Sequence, residues 1–316
     1  VVIFAGIPFT FLYNLLSGWL RSLGDSKTPL FFLVLSSVLN VILDLFFILV
    51  MKLGVFGASL ATVLSQAISG LLCLLFIAAK VPILHISRDE WRMQSGRMKE
   101  LCAYGVPMRL QYSITAIGSV ILQVAVNSLG SLSVAAVTAG GKVLNFLACP
   151  FDALGSTMAT YGAQNMGAGS VKRIREGFRA CTIIGAVYSV AAAAFIMTVG
   201  KFMTYLFVSE DVNVIMSSVD VYLKCIGIFF IPLAIVNIYR NGIQGLGYGL
   251  LPMMAGVAEL IGRGVVAVIA GEMRSYTGVC LAGPAAWSLA AALLIVMYFF
   301  IMNVHLKKVF GTNGKD

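Results

Sequence analysis

FFLVLSSVLNVILDLFFILV, Phe31 to Val50, is an apolar run of twenty residues carrying one carboxylate, Asp44. As a helix rising 1.5 Å per residue, such a run spans roughly 30 Å, the thickness of a bilayer's hydrocarbon core. A carboxylate at that depth costs roughly 2.5 to 3.5 kcal/mol on insertion scales, so it persists where it faces protein, water or a bound cation. Ser36, Asn40 and Asp44 are spaced four apart and stack on one helix face, a column of oxygens suited to a small cation. The plainer alternative is that Asp44 accepts hydrogen bonds inside a helical bundle.

The rest of the chain has the same character. Of 316 residues, 59% are apolar and only 11% charged, too apolar for a soluble domain with one core. Long apolar runs with short interruptions indicate spanning helices and not the ten-residue alternating strands of a barrel, so the fold class is all-α. The net charge of +9 comes from bases that fall mostly between the runs, where membrane topology explains them and nucleic acid is not needed. Six cysteines, at 73, 102, 149, 181, 225 and 280, sit in apolar surroundings without a CxxC pair and read as buried reduced thiols. His85 and His305 lie far apart with no ligand cluster around them, so no structural metal site is expected.

Nine spans are expected, at about 1–20, 29–50, 54–79, 101–129, 132–161, 178–200, 214–239, 250–271 and 277–304. Lys and Arg crowd one set of connections, at Arg21 and Lys27, at 80–99, at 172–179, at Arg240 and at 307–315. The other set holds only Lys52, Lys201 and Arg274. The positive-inside rule makes the crowded set cytoplasmic and places the carboxyl terminus inside. Residues 80–100, KVPILHISRDEWRMQSGRMKE, join two bundles either as an interfacial helix around Trp91 or as a solvated linker.

An internal repeat organises these spans. At an offset of 223, Asn14 matches Asn237, Leu23-Gly24 matches Leu246-Gly247 and Pro29 matches Pro252, and with a one-residue shift Pro8 and Gly54-Val55 match Pro232 and Gly278-Val279. Spans one to three therefore repeat as spans seven to nine, and six spans between equivalent points give both copies the same direction through the membrane. The repeating unit is a six-helix bundle. The expected organisation is a three-span partial lobe at 1–79, a linker at 80–100, a six-helix lobe at 101–304 and a tail at 305–316. The abrupt opening VVIFAGIPFTF adds the expectation that three helices precede it.

Several stretches carry a family resemblance: LRSLGDSKTP followed by SSVLNVILD, GVFGASLATVLSQ, GVPMRLQYSI, VNSLG with VAAVTA, and YGAQNMGAG followed by VKRIREGFR. In these the chain resembles the multidrug and toxic compound extrusion (MATE) transporters over essentially its whole length. The resemblance implies a twelve-helix exporter of two six-helix lobes, driven by inward H⁺ or Na⁺. It also implies a cation or proton site at Asp44 and Asn40, with Thr62 on the following helix, and Ser17 where some members carry an Asn before a GxLR segment. Helix geometry agrees, placing Asp44 roughly 9 Å and Thr62 roughly 12 Å below the outer surface. The implied setting is a multi-pass protein of the plasma (bacterial inner) membrane. It needs no cofactor beyond the coupling ion, takes a small cationic or amphiphilic organic substrate, and is monomeric when complete.

Further charges lie in the carboxyl-terminal half. Glu259 and Arg263, one turn apart, read either as an intrahelical ion pair or with Glu259 as a drug or proton ligand. Lys142 and Asp152 are ten residues apart in one span, so each is expected to find a partner on another helix. Gln111 and Asn127 either line a cavity or bond helix to helix. YGAQNMGAG lacks the GK[ST] of a phosphate loop and reads as a helix stop, with Gln164 and Asn165 bonding loop carbonyls. Two other functions are alternatives. A flippase of lipid-linked sugars would need a cation-rich cavity, and an intramembrane enzyme would need a catalytic constellation that does not appear.

Overall fold

The computed structural model describes residues 2–85, 94–200, 202 and 212–305. The interfacial-helix reading around Trp91 and the basic tail after His305 lie outside them. The chain divides into two compact units, Val1–Gln94 and Ser95–Asp316. Among the described residues every regular element is a helix.

The first unit holds α1 (Val2–Ser22), α2 (Lys27–Leu45, running on as a π-helical turn to Val50) and α3 (Gly54–Lys80). The second holds α4 (Ser95–Ser128), α5 (Ser131–Gly167), α6 (Val171–Phe195, continued to Gly200), α7 (Val212–Gly227), α8 (Phe230–Gly245), α9 (Leu250–Glu272) and α10 (Tyr276–Phe300, continued to His305). Among the described residues eight of these helices are long and apolar enough to cross a membrane singly, and the bent pair α7 and α8 makes a ninth when taken as one span.

Two features depart from the expected spans. The seventh is broken, bending by 52° between Gly227 and Phe230. Pro232 has no N–H for the Ile228 carbonyl and its ring presses on that carbonyl, while Gly227 adds no side chain to hold the turn. In addition, α4, α5, α6 and α8 run beyond their apolar segments into polar sequence, because a helix that is already nucleated continues at little cost until a stop signal. The QNMGAG segment shows this. Asn165 lies in the last turn of α5, donating to the Tyr161 carbonyl at 2.8 Å and not to a loop, and the stop comes at Gly169 with φ 70°.

The repeat reappears in the backbone. After α1, Gly24 at φ 90° lets its N–H reach Arg21 O at 3.0 Å and that of Asp25 reach Leu20 O at 3.0 Å. After α8, Gly247 at φ 90° does the same toward Gln244 O at 3.0 Å, with Tyr248 reaching Ile243 O at 3.2 Å. Both are left-handed glycine helix ends. Asp25 then opens α2, its Oδ1 accepting from the N–H groups of Lys27 and Thr28 at 3.0 Å each. Packing repeats too: α3 lies against α1 and α2 as α10 lies against α8 and α9.

Each unit has its own interior. In the first, Leu16, Leu20, Tyr13, Phe32, Cys73 and Ile77 are buried together. In the second, Val143, Phe151, Met158, Phe178, Phe230 and Leu294 form the centre. Lipid is as apolar as leucine, so association depends on close packing, and small residues allow it. Gly245 of α8 is so near α5 that a Cβ there would sit 2.2 Å from the Ala159 carbonyl oxygen. No disulfide joins the described cysteines; Cys73, Cys181 and Cys280 are buried as expected, whereas Cys102 and Cys149 are exposed on helix surfaces.

Candidate functional site

In the first unit, α2 and α3 bring two of the expected residues together. Asn40 Nδ2 donates to Thr62 Oγ1 at 3.4 Å, and Thr62 in turn donates to the Ala58 carbonyl at 3.0 Å. With its nitrogen used, Asn40 keeps Oδ1 as an acceptor. Asp44 stands one turn further along the same face of α2. Phe47 packs near Gly57, and these antiparallel contacts set Asp44 level with Ala58 to Ser59 on α3. Its Oδ1 is shielded from solvent and has no hydrogen-bond partner. A buried, unsatisfied carboxylate oxygen is rare and costly, and it is the acceptor a proton or small cation would satisfy.

Ser17 is fully buried but belongs elsewhere on α1. Gly6 faces Val63, beside Thr62, and Ser17 is eleven residues further along the helix, roughly 16 Å at 1.5 Å per residue. Its Oγ also lacks a partner, as do Gln66 Oε1 and Ser69 Oγ on α3. Ser36, the third member of the α2 column, is buried.

The second unit builds a denser polar site. Glu259 and Arg263 pair within α9 at 2.7 Å, and the other carboxylate oxygen of Glu259 accepts from Arg240 of α8 at 2.6 Å. Arg240 is thus not a loop residue; it lies five residues inside α8, which extends past the expected end at 239. Arg263 also donates from Nη1 to Ser119 Oγ at 3.1 Å and to the Thr115 carbonyl at 3.3 Å, tying α9 to α4. Gly118 leaves room for that approach, since a Cβ there would meet Arg263 Nη1 at 3.4 Å. Gln111 of α4 is buried and accepts from Gln244 of α8 at 2.7 Å, so it bonds helix to helix.

The remaining expected residues stand apart from this site. Asn127 is exposed and accepts from Gln123 at 2.9 Å. Lys142 and Asp152 occupy an exposed face of α5. Asp152 makes no hydrogen bond or ion pair among the described residues, contrary to the partner expected for it, because its side chain points out of the bundle. No cluster of metal-ligating side chains occurs among the described residues.

A family model described as MatE matches residues 1–46 and 107–269, more than half of the chain. The chain belongs to the MatE family. The matched regions include the Asp44 column, Arg240, Glu259 and Arg263. This MatE chain is 34% identical over 253 residues to "Probable multidrug resistance protein YpnP" of Bacillus subtilis, covering 79% of this chain and 55% of that protein. It is 21% identical over 248 residues to "Multidrug export protein MepA" of Staphylococcus haemolyticus, covering 78% of this chain and 52% of the relative. The chain therefore spans about half the length of these relatives. A crystal structure of a MATE protein in complex with MaL6 superimposes with a TM-score of 0.91 at 22% identity, over 97% of this chain and 69% of that one; the likeness is one of fold. The MatE chain is a multi-pass membrane protein.

Proposed function

We propose that this chain belongs to a secondary transporter that exports drugs or amphiphilic organic compounds in exchange for H⁺ or Na⁺, with Asp44, Asn40 and Thr62 as the coupling site. The observation that carries this reading is Asp44 Oδ1, buried without a partner beside an Asn–Thr pair that still offers oxygen acceptors. Such a carboxylate has two stable forms, protonated or paired with a cation, and each is neutral overall. When the two forms favour different conformations of the surrounding helices, an ion gradient biases the protein toward release of substrate outside. Support for drug export comes from the names borne by the Bacillus and Staphylococcus relatives. In this reading the substrate is small and amphiphilic or cationic, the protein sits as a monomer in the plasma membrane, and the carboxyl terminus is cytoplasmic.

The test is export of a fluorescent cationic dye from vesicles carrying the protein, with a pH or Na⁺ gradient imposed in turn. The proposal expects export that follows one gradient and stops when it is collapsed. Export that ignores both gradients, or movement of lipid-linked sugar in place of dye, would overturn it.

A further inference from the structure

Arg240 and Arg263 share a single carboxylate, that of Glu259, and both of its oxygens are engaged. No second carboxylate pairs with either arginine among the described residues, so the triad leaves one positive charge in excess within the membrane-spanning bundle. Arginine does not lose its proton, and an isolated charge at this depth calls for a counter-ion. Arg263 is 7% exposed, and its Nε–H has no hydrogen-bond partner.

Arg263 also lines a cavity of about 150 Å³ within the second unit, together with Ser119, Tyr222, Cys280, Gly283 and Trp287. The Tyr222 ring is fixed by contact with Gly140 of α5, where a Cβ would lie 2.4 Å from it, and its hydroxyl makes no hydrogen bond among the described residues. Ser119 is already committed, accepting from Arg263 and donating to the Thr115 carbonyl at 3.2 Å. The cavity therefore sets the Arg263 guanidinium, whose own Nε is sealed from it, beside one unspent donor, Tyr222 Oη, against an otherwise apolar wall that includes Trp287. A cavity of this size accommodates a benzene-sized body.

We propose that this cavity binds a small organic monoanion. Its carboxylate pairs with Arg263 and accepts from Tyr222, and its apolar body lies against Trp287. The bound anion completes the charge balance of the Arg240–Glu259–Arg263 triad. The site lies wholly within Ser95–Asp316 and stands independently of the export reading.

The test is equilibrium binding of radiolabelled benzoate to the purified full chain in lipid nanodiscs, with neutral benzamide as competitor. Saturable binding at one site per chain, resisted by benzamide, is the expected result. Tyr222→Phe is expected to weaken it several-fold and Arg263→Gln at least tenfold. Gly283→Leu grows into the cavity, because a Cβ at Gly283 meets only Trp287 at 3.9 Å; it is expected to abolish binding with the triad intact. Should Arg263→Gln not fold, the other two variants carry the test. Absence of saturable binding, equal competition by benzamide, or wild-type affinity in a folded Gly283→Leu chain would overturn the proposal.

Discussion

Arg240 reaches across from α8 to Glu259 of α9 at 2.6 Å, making an intrahelical ion pair into a two-helix triad. At the repeat offset of 223, Arg240, Glu259 and Arg263 correspond to Ser17, Ser36 and Asn40. The two copies keep the same glycine helix ends and exchange chemistry. The first holds neutral oxygens beneath Asp44, whereas the second holds a charged triad beneath Ala267, which is fully buried.

Among the described residues Glu259 is the one carboxylate paired with two largely buried bases, so losing it alone leaves both without a counter-charge. Glu259→Gln is expected to destabilise the protein by at least about 3 kcal/mol, seen as a lower melting temperature in detergent. Replacing all three side chains with Met or Leu should recover most of that loss, since an apolar set of similar volume satisfies the membrane interior. A triple variant no more stable than Glu259→Gln would contradict this account of the triad.

Asp25 contributes at the start of α2. Its hydrogen bonds with the Thr28 side chain and backbone N–H hold its carboxyl below the usual carboxylate range. A carboxyl group held low in the folded state stabilises above its unfolded value near pH 4, and the benefit disappears as pH falls through the folded value. Asp25→Ala should cost about 1 kcal/mol at pH 7 through loss of the cap, with Asn retaining most of it. The gap between wild type and Asp25→Ala in thermal melts should close below about pH 4; a gap that widened in acid would be inconsistent with capping by the ionised form.

Gly245 fixes the distance between α5 and α8. A methyl group at this position meets backbone atoms of Ala159, which cannot rotate away, so the helices must separate. Gly245→Ala is expected to lower stability by about 1 to 3 kcal/mol, whereas Gly264→Ala, whose Cβ would touch only Ile121 Cδ1 at 3.9 Å, should be nearly neutral. Melting curves of the pair check this, and equal effects would show that the close approach is not what holds the two helices.

The fold was legible where backbone chemistry is local. Gly24 with Pro29 and Gly247 with Pro252 mark helix end and helix start directly, so the repeat and the eight unbroken spans follow from sequence. The break at Ile228 was less visible, because Pro8 at the equivalent place sits in an unbroken α1. Hydropathy counts a base as an ending and so puts Arg240 in a loop, whereas an arginine paired to a buried carboxylate stays inside its helix. One signal could have found it: its repeat partner is Ser17, which falls within the first span. For the coupling site, spacing along α2 gave the column, and the Asn40–Thr62 bond required only the antiparallel register of α2 and α3. The distance of Ser17 from that pair depends on how α1 slides along α3, a tertiary matter that no spacing encodes.

The central claim is that the unpartnered oxygen of Asp44 is the seat of ion coupling. Its most direct test is gradient-driven dye export from vesicles carrying Asp44→Asn, a change that keeps shape and removes charge, with membrane insertion verified alongside. The account predicts normal insertion and export that no longer responds to the gradient; export still driven by the gradient as in wild type would contradict it.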